Sequence, residues 1–146
     1  MSLLPVCVQY AMTFTETLAA GIIPMLAARD ASAALHFYVS VFGATVLDRI
    51  DSPDGPLLHA NIRIGDALFM LADECPPHNV SPETLGGTPV LLHLVVASVD
   101  DVMTLGLANG GQVVREPADQ PTGYRAAKLR DTAGHIWYVA SPIRTS

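Results

Sequence analysis

The chain has 146 residues, half of them apolar and only 15% charged, which excludes intrinsic disorder and leaves room for one ordinary domain or two small modules sharing a core. A net charge of −6, with the eight Lys and Arg scattered along the chain, argues against a nucleic-acid partner, whose phosphates need a basic patch. Eleven Gly and eleven Pro point to many turns and short elements, not to a few long helices.

Met1 to Gly21 has no Lys or Arg in its first residues, and Pro5, Gln9, Thr13 and Glu16 interrupt any apolar run. It fits neither a secretory signal nor a membrane span. Two readings stay open for residues 1–21: an ordered arm that packs on the domain or on a second subunit, or an over-long start to the reading frame. Cys7 and Cys75 are far apart and show no C-x-x-C or C-x-x-H spacing, so the expectation is a reduced, cytoplasmic context without a disulfide framework or structural zinc.

From Ile22 the elements follow in a clear order. Ile22 to Ala28 is a short apolar run that reads as a strand. Asp30 then stands as N-cap before Ala31, Ala34, Leu35, Tyr38, Val41 and Phe42, an apolar stripe at helical spacing that ends at Gly43. Thr45 to Ile50 reads as a strand, Ser52 to Pro56 as a turn, and Leu57 to Ile64 as an alternating strand. In that last strand Ala60, Ile62 and Ile64 share one face, and His59, Asn61 and Arg63 share the other. Gly65-Asp66 makes a hairpin turn before the apolar strand Ala67 to Ala72.

The pattern then repeats. Val90 to Ala97 is a strand, Ser98 caps a helix carrying Val99, Val102, Met103 and Leu107, and Gly110-Gly111 stops it. Gln112 to Arg115, Tyr124 to Arg130 and His135 to Ser141 supply three more strands. A constant offset of about 68 residues superimposes Leu26 on Leu94, Gly43 on Gly111, Val46 on Val114 and Ala72 on Ala140. Each half is thus βαβββ: module one spans 22–73, a Pro- and Gly-rich linker spans 74–89, and module two spans 90–142.

Pro24 to Asp30, Ala33 to Tyr38, Phe42-Gly43-Ala44, Leu58 to Asp66 and Leu129 to Trp137 resemble the vicinal oxygen chelate superfamily. That group contains glyoxalase I, bleomycin-resistance proteins, fosfomycin-resistance enzymes and extradiol dioxygenases. The resemblance covers Ile22 to about Pro142. It implies an α+β domain, 22–146, of two tandem βαβββ modules that form an open curled-sheet barrel with helices on the convex side and the ligand on the concave side. Fold alone does not give activity, which has to come from the site.

Active members of the superfamily place metal ligands on the first and last strands of each module. Carried over by position, those points are Met25, Met70, His93 and Tyr138, of which only His93 is a usual ligand for a hard divalent ion. The expectation is therefore a metal-free site without a cofactor. The competing reading is a metal-dependent glyoxalase-like lyase or isomerase, or a dioxygenase.

The expected cavity has an apolar side of Met25, Met70 and Tyr138 and a polar side of His59, Asn61 and Arg63. His93 either touches the ligand or is a wall histidine satisfied by one hydrogen bond. Arg125 follows the segment Glu116 to Gly123, which either covers the cavity mouth or is an idle hairpin. Trp137 and Phe69 should pack under the helices as core, and His36, His78 and His135 should be surface residues. The function expected is a small-molecule binding protein, similar to the bleomycin-resistance branch, that holds an amphipathic ligand such as an antibiotic. It is expected to be a homodimer with no nucleic-acid or membrane partner.

Overall fold

The computed structural model describes residues 21–143. The expectations for Cys7 and for the arm before Gly21 lie outside those residues. Asp30 accepts a hydrogen bond from Ala33 N at 3.1 Å, and this fixes the start of helix α1 (Ala31–Phe42). Gly43 closes it in the left-handed conformation, with φ 67°. Ser98 caps α3 (Val99–Ala108) in the same way, accepting from Asp101 N, and Asp100 and Asp101 lie in the first turn, where the helix dipole favours negative charge.

Around these helices run β1 (Met25–Ala28), β2 (Thr45–Asp51), β3 (Leu57–Ile64) and β4 (Ala67–Asp73) of the first module. The second module supplies β5 (Leu91–Val95), β6 (Gln112–Asp119), β7 (Tyr124–Arg130) and β8 (Ile136–Pro142). They form two four-stranded sheets, ordered β1-β4-β3-β2 and β5-β8-β7-β6, and not one closed barrel. In each sheet the first strand runs parallel to the last, and the other pairings are antiparallel. The two βαβββ modules are therefore present as expected. The segment after Glu116 extends β6 to Asp119 and turns back through Gln120 to Gly123, so it is a hairpin.

Three expectations need correction, the third of them at His135 in the core. The linker is not all loop: it holds the one-turn helix α2 (Pro82–Leu85), capped by Ser81 and opened by Pro82. A single turn leaves no periodic trace, although Ser81-Pro82 is a start signal. Glu74 anchors this turn by accepting from Ser81 N and Thr84 Oγ1, each at 2.9 Å, and these bonds hold its carboxyl below the usual range. The second correction is at Cys75, which is disulfide-bonded. Spacing in sequence rejects local metal-type patterns, but a disulfide needs only that the fold bring two Cα atoms within about 7 Å.

The core lies on the helix side of both sheets. Trp137 and Phe69 pack there, as expected, against Tyr38 and Phe42 of α1, with Trp137 centred 4.6 Å from Phe42 and 5.5 Å from Tyr38. The two modules meet through this aromatic cluster. At its centre is Asp131, 4% exposed, in the turn between β7 and β8. Its Oδ2 accepts from Tyr38 Oη at 2.6 Å and from Trp137 Nε1 at 2.8 Å. Its Oδ1 accepts from Ala133 N and His135 N at 2.8 and 3.0 Å. His135 is not the surface residue expected: its Nε2 lies 2.8 Å from Ala27 O on β1 and so joins the modules a second time. Among the described residues no helix is long and apolar enough to cross a membrane.

The glycines that the repeat aligns do different work. A Cβ on Gly43 would meet open space, so only its left-handed backbone demands glycine. A Cβ on Gly111 would lie 2.8 Å from Gly106 O, 3.0 Å from Phe37 Cε2 and 3.1 Å from Arg130 O. Two of those neighbours are backbone and cannot swing aside.

Chemical denaturation should separate these effects. Asp131→Asn puts an N–H against donors that need an acceptor and should cost on the order of 3 kcal/mol of stability. Gly43→Ala should cost about 1 kcal/mol through backbone strain alone. Gly111→Ala should cost more, about 2 kcal/mol, through steric overlap, and a smaller loss there than at Gly43 would contradict the packing described.

Candidate functional site

Strand alternation sends one set of side chains to the helices and the other to the concave faces. In the first sheet Leu26, Ile62, Phe69 and Leu71 face the helices. Met25, Met70, His59, Asn61 and Arg63 face the concave side, with Met25 paired to Met70 and Asn61 to Met70 across the strands. The polar stripe is not an open one. His59 and Asn61 are both fully buried, and His59 Nε2 lies 3.0 Å from Asn61 Oδ1, so two of its three members face each other. Asn61 Nδ2 is buried with no hydrogen-bond partner. Arg63 is exposed and has no ion pair among the described residues.

In the second sheet His93 pairs with Tyr138, and their rings meet edge to face with centroids 5.0 Å apart. His93 is exposed and Tyr138 half-buried. Arg125, by contrast, is on the other side. It lies one residue from Tyr124 and Ala126, so it faces the helices, where it donates to Asp100 at 2.8 and 3.0 Å and to Asp119 at 3.1 Å. These bonds, that to Asp100 first, push the guanidinium pKa further up. Arg125 is therefore occupied in holding α3 to the β6–β7 hairpin, away from the other seven residues.

The four transferred ligand positions stand as two cross-strand pairs, Met25–Met70 and His93–Tyr138. Two thioethers, a phenol and one imidazole do not fit a hard divalent ion, which asks for three or four imidazole, carboxylate or thiolate donors. No cluster of three or more His, Cys, Asp and Glu side chains suited to a metal occurs among the described residues.

Cavities do occur along the seam between β1 and β5, one edge strand of each sheet. One of about 400 Å³ is lined by Leu26, Phe69, Leu92, His93, Leu94 and Trp137, together with residues 21–24 and the β3–β4 turn. A second, of about 380 Å³, has Met25, Thr88, Val90 and His135 in its walls. Ile22, Pro24, Leu26 and Leu92 line both, so the 22–26 segment is the partition between them. Of the eight residues expected at the site, His93 reaches the larger cavity and Met25 the smaller. The seam residues Leu92 and Leu94 carry no signal in the sequence, because an apolar β5 looks the same whether its edge is covered or open.

Comparison with known proteins agrees with this architecture. The uncharacterized protein Mb0911c of Mycobacterium bovis is 40% identical over 125 residues, which cover 83% of this chain and 82% of that one. TioX from Micromonospora sp. ML1 superposes with a TM-score of 0.65 at 27% identity, over 87% of this chain and 99% of its own. PA1353 from Pseudomonas aeruginosa superposes with a TM-score of 0.69 at 21% identity, over 86% and 100%, a likeness of fold alone. Residues 21–139 match the family described as the Glyoxalase/Bleomycin resistance protein/Dioxygenase superfamily. Paired βαβββ modules, built around a shared aromatic core and matched over nearly their whole length, make this chain a member of that superfamily.

Proposed function

We propose that the protein binds a small amphipathic molecule, an antibiotic being one such ligand, without a resident metal ion. The observation that carries this reading is the placement of His93. It is exposed, stands edge-on to Tyr138, and forms part of the wall of the 400 Å³ cavity beside Leu92, Leu94 and Trp137. One side chain thus joins an aromatic concave face to an apolar recess, which suits a ligand with a flat polar end and an apolar end.

The donor chemistry supports the metal-free form of this reading. Native mass spectrometry of protein purified without chelators and incubated with zinc, nickel or manganese should show no stoichiometric ion. A divalent ion held at micromolar affinity, and lost in His93→Ala, would replace this reading with that of a metal-dependent lyase, isomerase or dioxygenase.

We also propose a homodimer. β1 and β5 are edge strands, and large apolar surface is exposed on them and just before them: Ile22, ahead of β1, is 98% exposed, Val90, ahead of β5, 58%, and Val95 61%. Open edges and apolar patches of this kind are ordinarily covered by a partner. Sedimentation at micromolar concentration should give twice the 15.5 kDa chain mass, and a single species at 15.5 kDa overturns the dimer.

A further inference from the structure

The concave face of the second sheet gathers three cations, where that of the first sheet has Arg63 alone. Following the pairings across β6, β7, β8 and β5, Arg115 stands beside Lys128, Lys128 beside Tyr138, and Tyr138 beside His93. Paired residues face the same side of a sheet, so these four form one row spanning roughly 14 Å at ordinary strand spacing. In the adjacent row Arg130 stands between Gln112 and Ile136. The equivalent row of the first sheet is Asp48, Asn61, Met70 and Met25, with no cation. The adjacent row of the first sheet holds Arg63 where the second holds Arg130, so Arg130 has a counterpart in the repeat, whereas Arg115 and Lys128 belong to the second module alone.

These cations lack carboxylate partners. Arg115 reaches only the Gln120 amide oxygen, at 3.4 Å, and Arg130 only the Gln112 amide oxygen, at 3.0 Å. Lys128 has no ion pair, and neighbouring Glu116 forms none with any of the three. The described cations away from the concave faces are all paired: Arg29 with Glu83, Arg49 with Asp51, and Arg125 with Asp100 and Asp119. In a chain with fourteen acidic and eight basic residues, three neighbouring cations free of carboxylate are an unbalanced local charge. An arginine fork and an ammonium converging on one face match an anionic group, and the adjacent phenol and imidazole offer ring surface.

We propose that the ligand is an aromatic carboxylate: its anionic group sits on Arg115, Lys128 and Arg130, and its ring lies over Tyr138 and His93. This rests on the small-molecule reading above and names the chemical class that reading leaves open. It also gives the second module a role that needs no metal ion, since fixed cations hold the ligand oxygens.

Two matched probes test it: 2-naphthoate and its neutral isostere 2-naphthamide, titrated by calorimetry into the full chain. Naphthoate should bind about tenfold or more tightly than naphthamide, with an advantage that shrinks as salt is added. Arg115→Gln, at an exposed position, and Lys128→Gln should each reduce that advantage, and the double variant should abolish it while naphthamide affinity stays the same. Lys128 is the only lysine of the chain, so its acetylation by acetic anhydride, followed by peptide mass, should slow when naphthoate is bound. Equal affinity for the two probes, or an advantage that survives in the double variant, overturns the anion site while leaving small-molecule binding intact. Absence of saturable naphthoate binding up to millimolar concentration overturns it as well. Naphthamide binding that is lost in Tyr138→Ala then shows whether the broader reading stands.

Discussion

A buried carboxylate is tolerable only when its lone pairs are met, and the arrangement around Asp131 follows from that constraint. Two of its four hydrogen bonds come from backbone N–H groups of its own turn and fix the turn's shape. The other two come from Tyr38 on α1 and Trp137 on β8, so one side chain ties the first module's helix to the second module's last strand. The Tyr38 hydroxyl is in turn kept protonated: burial, then the Asp131 charge, push its pKa well above the ordinary value. Once Trp137 is held by its Nε1, alternation leaves Tyr138 no choice but the opposite face, beside His93. The aromatic surface of the candidate site is thus set by a polar contact on the far side of the sheet.

Much of this was legible in the sequence. Asp30 and Gly43 mark both ends of α1, Ser98 marks the start of α3, and the repeat offset makes Met25 equivalent to His93 and Met70 to Tyr138, an equivalence the Met25–Met70 and His93–Tyr138 registers repeat. Strand parity correctly assigns Trp137 and Phe69 to the core. What periodicity cannot show is what covers a face. His59 and Asn61 are on the concave side, as alternation requires, yet are buried against each other. Arg125 shows the complementary difficulty: its charge suggests a ligand contact, and only the register, which pairs it with Ser141, shows that it points to α3. His135 depends on a contact between segments distant in sequence, and such contacts leave no local pattern.

The two modules have diverged under one fold. Their backbones keep the same strand order and the same parallel first-to-last pairing. The first module's concave face carries one arginine, Arg63, and is closed at His59 and Asn61, whereas the second carries Arg115, Lys128 and Arg130 and is open at His93. Gly43 and Gly111 show the same divergence at the level of single atoms, one retained for backbone conformation and the other for space. Similar architecture therefore gives no assurance of similar chemistry, even between halves of one chain.

The seam between β1 and β5 has a mechanical consequence. The sheets are joined by packed rings, by Asp131 and by the His135–Ala27 bond, while their edge strands form no ladder with each other. A change in the angle between the sheets would slide side chains over one another and break no rung of either sheet. The segment 22–26, which partitions the two cavities, lies where such a rotation would be felt most. The fold thus places its recess at a joint bridged by side chains and not by a strand ladder.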